Sequence, residues 1–305
     1  MLKMTQWRHI DLLTPDPTAL AHFYSQSWGL GLVGEIEGAY YLRSTASNYY
    51  QLGLHQGEQR AIQRLTFGLA DRVAVDAAAV ELAGRGVAMV SPPHALSGPD
   101  GGYGFQLVDP DGRCVELVSD AADAPPLEWA TPVKPTKISH VVLNTPDIER
   151  ATTFYTNVLG FRISDWSEDQ MVFLRCSPDH HSISFNRAAH SSLNHIAWEV
   201  PGVDEVMRGI ANARKPGGAA IIWGPGRHGP GHNIFCYFHD AAGFVCEYTA
   251  EVQQIEDEAA HVAQVWSRKI PEKMDLWGIA GPPSPEARAA MAGTPDPGWL
   301  TVATR

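Results

Sequence analysis

With 305 residues the chain is longer than one ordinary domain and predicts two. Hydrophobic residues make up 44% of it, enough for a full core, which excludes general disorder. The net charge of −11, without a Lys/Arg-rich block, excludes nucleic acid and an anionic membrane as main partners. The opening MLKMTQWRHIDLL has no long apolar signal-type region, and no apolar run nears the roughly 18 residues that span a bilayer. A first strand carries His9 in WRHIDLL, and TPD then caps a helix that ends near WGL, where Gly29 permits a left-handed turn. Strands follow in GAYYLRST, YYQLGLH and RLTFGLA, then a helix in VDAAAVELAGRG and two closing strands joined by DPDG. The Ala-, Pro- and acid-rich stretch 121–135 reads as a linker. Beyond it the order recurs: ISHVVLNTPD, a helix ending near VLGF, strands MVFLRC, HSISFN and NHIAWEV, a helix VDEVMRGIANAR, and strands around DAAG. Each half therefore contains βαβββ twice. The four cysteines (Cys114, Cys176, Cys236, Cys246) lack CxxC or paired spacing, which predicts free thiols and a cytoplasmic protein.

The recurrence has a fixed offset of 131 residues. It relates His9 to His140, Thr14 to Thr145, Phe23-Tyr24 to Phe154-Tyr155 and Gly29 to Gly160. It also relates Asp109 and Gly112 to Asp240 and Gly243, and Glu116 to Glu247. A constant offset over that span means duplication with few net insertions.

Three columns of this repeat hold candidate metal ligands, and the halves differ in one. The first half has His9, Arg64 and Glu116; the second has His140, His195 and Glu247. Arginine stays protonated and cannot ligate a metal, so the first half reads as structural and the second as the metal-bearing half. Two neutral imidazoles and one carboxylate leave several coordination positions open on one side of an ion. That suits non-haem Fe(II), where substrate and O2 meet on one metal, although Mn(II) and Zn(II) accept similar ligands.

In the order His140, then HHSISF, NHIAW, GPGRHGPGHNIFCYF and CEY, residues 5–252 resemble a type I extradiol ring-cleavage dioxygenase of the vicinal oxygen chelate superfamily. The resemblance implies an α+β fold of two tandem vicinal oxygen chelate domains. Residues 1–120 would form the domain without a complete metal site and 121–135 the linker. Residues 136–252 would form the catalytic domain, and 253–305 a C-terminal tail or lid. It implies Fe(II), with Mn(II) as the other candidate, and O2 as co-substrate in opening a catechol-type diol, an EC 1.13.11 activity of aromatic hydrocarbon catabolism. His181 matches the acid–base histidine, a role that suits an imidazole, while His180 is expected on the opposite strand face. His228 and Tyr237 match residues that hydrogen-bond the substrate hydroxyls, and His232 a further histidine near them.

The same resemblance addresses the substrate pocket. Relatives that act on carboxylate-bearing catechols use two arginines at positions that match Trp223 and Met274 here, the latter beginning the segment MDLWG. Neither pairs with a carboxylate. With Phe173 as an aromatic wall, an apolar or bulky catechol is expected. A homo-oligomer is expected on family grounds. The alternatives are a glyoxalase-like isomerase or transferase, which would spread its ligands over both halves, and a non-catalytic binding protein of the bleomycin-resistance type.

Overall fold

Asp16 and Asp147, the last residues of the two TPD motifs, cap the helices that follow: each carboxylate accepts the amide three residues on, at 2.8 and 2.9 Å. The computed structural model describes residues 2–124, 127, 129, 131–215 and 219–298. In the first half the elements are β1 (Gln6–Thr14), α1 (Pro17–His22), β2 (Gly31–Ile36), β3 (Ala39–Arg43) and β4 (Leu52–Gln56). They are followed by β5 (Ala61–Gly68), α2 (Arg72–Gly84), β6 (His94–Ala95), β7 (Tyr103–Val108) and β8 (Cys114–Ser119). The second half repeats this as β9 (Lys137–Thr145), α3 (Ile148–Thr153), β10 (Arg162–Ser167), β11 (Met171–Arg175) and β12 (Ile183–Arg187). Its second module is β13 (Ser192–Glu199), α4 (Val203–Ala213), β14 (Ile221–Arg227), β15 (Ile234–His239) and β16 (Val245–Ala250). A tail adds β17 (Gln264–Val265), α5 (Pro271–Met274) and α6 (Pro285–Ala292).

The expected α+β plan of two βαβββ modules per half is what the chain adopts. One sheet runs β2-β3-β4-β1-β5-β8-β7-β6; the other runs β14-β15-β16-β13-β9-β12-β11-β10-β17. The first strands of the two modules pair antiparallel, β1 with β5 and β9 with β13. Both first helices run on into a π-helical turn, Phe23–Trp28 and Phe154–Val158, which the sequence pattern did not foretell. Gly29 and Gly160 then take positive φ as expected, and a Cβ at Gly29 would lie 2.2 Å from the Val133 carbonyl oxygen.

The halves are locked reciprocally. Tyr24 donates its hydroxyl to Asp240 at 3.0 Å, and its repeat mate Tyr155 donates to Asp109 at 3.2 Å. Trp28, fully buried, stacks on Tyr248 with centroids 3.8 Å apart, so one hydrophobic cluster draws on both sheets. Burial of a large aromatic side chain contributes about 1.5–3 kcal/mol, which makes this seam part of the core. The stretch 121–135 is seated rather than loose at its end: Thr131 and Val133 are buried, and Thr45 N–H donates to the Pro135 carbonyl. Pro125, Pro126, Glu128 and Ala130 of that stretch, and tail residues 299–305, lie outside the described residues. Among the described residues no helix is long and apolar enough to cross a membrane, and the four cysteines are free thiols.

Candidate active site

Sheet register brings the three expected ligands to one face. On β13, Ala197 pairs with His140 of β9 on one side and with Glu247 of β16 on the other. Directly paired residues share a face, and His195, two residues before Ala197, shares it too. Tyr237 pairs with Glu247, and Trp223 with Tyr237, so the row continues over β15 and β14.

His140 Nε2 and His195 Nε2 lie 3.3 and 3.2 Å from Glu247 Oε2 and 3.4 Å from each other, all three residues buried. The outer nitrogens are tied back: His195 Nδ1 donates to Asn194 Oδ1 at 2.8 Å, and His140 Nδ1 lies 3.2 Å from Ser139 Oγ. This fixes the ring of His195 with Nε2 bare, the usual way a protein orients a ligating imidazole. Burial would raise the Glu247 carboxyl, but His140 and His195 outweigh it and hold the group down at about 2. Burial pushes His195 below its ordinary value, so its neutral form is favoured. Glu247 Oε2 is buried without a hydrogen-bond partner beside the two Nε2 atoms, a burial that is costly unless positive charge, on the imidazoles or on a shared cation, offsets it. Donors that share an ion at about 2.1 Å stand about 3.0–3.4 Å apart, so the spacing fits one divalent metal. Among the described residues this is the one His/Cys/Asp/Glu group with ligand atoms clustered for an ion.

His140 and His195 of the triad line a cavity of about 400 Å³. Its wall holds His181, His228, Tyr237, Phe173, Trp223 and Met274, six of the seven residues expected beside the metal ligands. Burial, reinforced by the neighbouring imidazoles, depresses His181 well below the usual histidine range; its ring centroid is 4.1 Å from that of His140. Burial also lowers His228 to about 4, leaving it neutral near pH 7. His228 Nδ1 donates to the Met274 carbonyl at 3.3 Å, so its Nε2 accepts from the Tyr237 hydroxyl at 2.9 Å. Tyr237 stays a phenol, because burial and Glu247 raise it well above its ordinary value.

Two expectations change. His232 is exposed and does not line the cavity. Gly231 and His232 both take positive φ, a double left-handed turn that points His232 outward and delivers Asn233 inward instead. Asn233 Nδ2 donates to Thr249 Oγ1 at 2.8 Å and reaches Glu247 Oε1 at 3.5 Å. His180 does not face away from His181: their Nδ1 atoms are 3.0 Å apart. Strand β12 begins only at Ile183, so the alternation assumed for His180 and His181 does not apply there.

Sequence reasoning missed the groups that hold the tail in place. Asp275, 1% exposed, accepts four backbone amides, from Arg227, Trp277, Ala280 and Gly281, and so pins the 274–278 segment to β14. Pro271, Pro282, Pro283 and Met291 of the tail close one side of the cavity, while Arg268 and Arg288 border it.

Comparison with known proteins places these features. A family profile described as the glyoxalase/bleomycin resistance protein/dioxygenase superfamily matches residues 137–248, the span of the metal triad. "Metapyrocatechase 2" of Cupriavidus necator is 32% identical over 224 residues, covering 66% of this chain and 68% of that protein. A "biphenyl-2,3-diol 1,2-dioxygenase" of Paraburkholderia xenovorans is 26% identical over 250 residues, covering 76% and 83%. Among solved structures, a Mn(II)-bound glyoxalase from Novosphingobium aromaticivorans superposes with a TM-score of 0.87 at 36% identity, covering 94% of each chain.

Proposed function

We propose, from the premise that the chain belongs to the glyoxalase/bleomycin resistance protein/dioxygenase superfamily as a type I extradiol ring-cleavage dioxygenase, that it opens an apolar or bulky catechol with O2 at one Fe(II) held by His140, His195 and Glu247. The observation that carries the reading is the meeting of this triad with His181, His228 and Tyr237 on one cavity. When bound, Fe(II) supplies the redox chemistry that couples an electron-rich ring to O2.

The chain's own residues supply the rest. His181 takes a hydroxyl proton from the diol and returns it during ring opening, a task for an imidazole that is neutral at the outset. The Tyr237–His228 pair hydrogen-bonds a substrate oxygen and is oriented by the Met274 carbonyl. Phe173, Trp223 and Met274 give the ring and its substituent an apolar bed, which supports an alkyl-, aryl- or fused-ring diol over a carboxylate-bearing one. The tail, pinned through Asp275, excludes bulk water from that side. Residues 136–252 thus act as the catalytic domain, 1–120 as its structural partner, 121–135 as the connection and 253–305 as the cover. Free thiols support a cytoplasmic setting, and family membership a homo-oligomer.

The test is to load the protein anaerobically with Fe(II) or Mn(II), add a panel of catechols, admit air, and follow O2 uptake with the yellow ring-opened product. Turnover with Fe(II) is expected, fastest for apolar substituents. Stoichiometric Fe(II) without O2 consumption on any vicinal diol would defeat the reading. The glyoxalase-like alternative, favoured by the name of the Novosphingobium structure, predicts a metal-dependent isomerisation without O2. Confinement of the ligands to one half, with Arg64 in the matching column of the other, weighs against it.

A further inference from the structure

Behind the cavity wall, His181 is the end of a buried hydrogen-bond chain that reaches the C-terminal tail. His181 Nδ1 lies 3.0 Å from His180 Nδ1, and His180 Nε2 lies 3.1 Å from Asp165 Oδ2. Trp266 Nε1 donates to the same Oδ2 at 2.6 Å, and Gln264 N–H donates to Oδ1 at 2.8 Å. His180, His181 and Asp165 are 0, 3 and 4% exposed.

The polarity of this chain follows from its far end. An indole N–H and a backbone N–H only donate, so both Asp165 oxygens accept; burial would raise the carboxyl, but His180, Gln264 and Trp266 hold it below its ordinary value, so it is ionised. Its remaining partner, His180 Nε2, must therefore donate. A buried His180 is neutral, because desolvation disfavours its charged form, so its Nδ1 is bare and accepts. The only hydrogen left for the 3.0 Å contact is the one on His181 Nδ1. His181 is thereby fixed as the Nδ1–H tautomer with a bare Nε2.

We propose that Asp165 and His180 are positioning residues that set the tautomer of His181, leaving Nε2 as the proton-accepting atom of the cavity, and that tail residues 264–266 complete this device. The arrangement belongs to the second half alone. The repeat mates of His180 and Asp165 are Tyr49 and Gly34, and among the described residues β17 pairs only with β10. The tail is thus a cover that also orients the imidazole it covers. The inference rests on the reading of His181 as the proton carrier, but the tautomer itself is observable without turnover.

The experiment uses the full chain 15N-labelled at histidine, with and without diamagnetic Zn(II), and reads side-chain nitrogen–proton correlations. His181 should show a protonated Nδ1 and a bare Nε2, and His180 the reverse. A native His181 protonated at Nε2, or a doubly protonated His180, overturns the proposal even if catechol is cleaved. His180→Phe should admit the Nε2–H tautomer of His181 and lower kcat at least ~10-fold with KM unchanged. His180→Gln, which keeps an acceptor toward His181 and a donor toward Asp165, should restore most of kcat. Trp266→Phe should give a smaller loss of the same kind. Equal kcat for the native, His180→Phe and His180→Gln proteins would also overturn it. If His180→Phe does not fold, the native spectrum and Trp266→Phe still decide. A native enzyme that shows the expected tautomer yet cleaves no catechol would defeat the functional reading and leave the tautomer assignment standing.

Discussion

The two halves solve one electrostatic problem in opposite ways. In the first half Glu116 occupies the position of Glu247, and Arg64 that of His195. The Arg64 guanidinium bridges Glu116 at 3.2 Å and Asp11 at 3.1 Å, and His9 Nδ1 also meets Asp11 at 3.0 Å. Burial would raise the Asp11 carboxyl, but Arg64 and His9 hold it well below the usual carboxylate range. The cation is therefore covalently part of the chain. Other positions follow suit: Tyr50 stacks on His9 at 4.2 Å as His181 meets His140 at 4.1 Å, and Gln106 donates to Glu116 from the place of Tyr237. The difference teaches that the first half balances its buried carboxylates with a guanidinium of its own chain. Only the second half leaves that charge to be supplied from outside.

The comparison can be broken most forcefully at the carboxylates. Glu247→Gln should abolish stoichiometric metal binding and turnover, while Glu116→Gln should keep one metal per chain and keep turnover per folded molecule. Metal analysis beside O2 uptake decides, and the opposite pattern would reverse the assignment of the halves. Next in size, His181→Ala should retain the metal and lose ~10²–10⁴-fold in rate, the range of a general acid–base group. Its mate Tyr50→Phe should leave the rate unchanged, and equal rates in both would remove His181 from the chemistry. Arg64→Met should strand Asp11 and Glu116 and cost ~3–5 kcal/mol in urea unfolding, with metal content unaltered. A stability loss within experimental scatter would mean that the first-half column is not held by its guanidinium.

The sequence made most of this legible for a definite reason. A 131-residue repeat turns isolated polar residues into columns, and Arg64 against His195 is then a chemical contrast visible without coordinates. The repeat columns put His140, His195 and Glu247 in strand-like runs, and it is the register of β9, β13 and β16 that brings them to a common face. What stayed hidden depended on non-local or irregular backbone. Asp165 lies on β10, whose sequence RISDWS has no clear alternation, and its donor Trp266 is 101 residues away. His180 was misjudged because β12 starts two residues later than its apolar pattern implies, and His232 because two consecutive positive-φ residues cannot be read from a Gly/His-rich loop. The π-helical turns after α1 and α3 have no periodic signature shorter than the helices they extend.

The finest distinction between the halves lies at the seam, where the reciprocal tyrosines meet unequal partners. Asp240 accepts the amides of Ala242 and Phe244 on Oδ1, and Tyr24 serves Oδ2. Asp109 likewise accepts amides on Oδ1, but its Oδ2 has Arg113 at 3.6 Å besides Tyr155 at 3.2 Å. The residue matching Arg113 is Phe244, and the guanidinium that reaches the second-half turn, Arg60, donates to the Gly243 carbonyl rather than to Asp240. Removing the hydroxyl from Tyr24 leaves Asp240 Oδ2, on a carboxyl that burial pushes up to about 7, without that donor, whereas removing it from Tyr155 leaves the guanidinium beside Asp109 in place. Tyr24→Phe should therefore cost ~1–3 kcal/mol and Tyr155→Phe ~0.5–1.5 kcal/mol. Paired urea titrations of the two variants measure the gap. Equal losses would show that the guanidinium at 3.6 Å does not stand in for the phenol, and a larger loss at Tyr155 would place the stronger hydroxyl lock in the first-half turn.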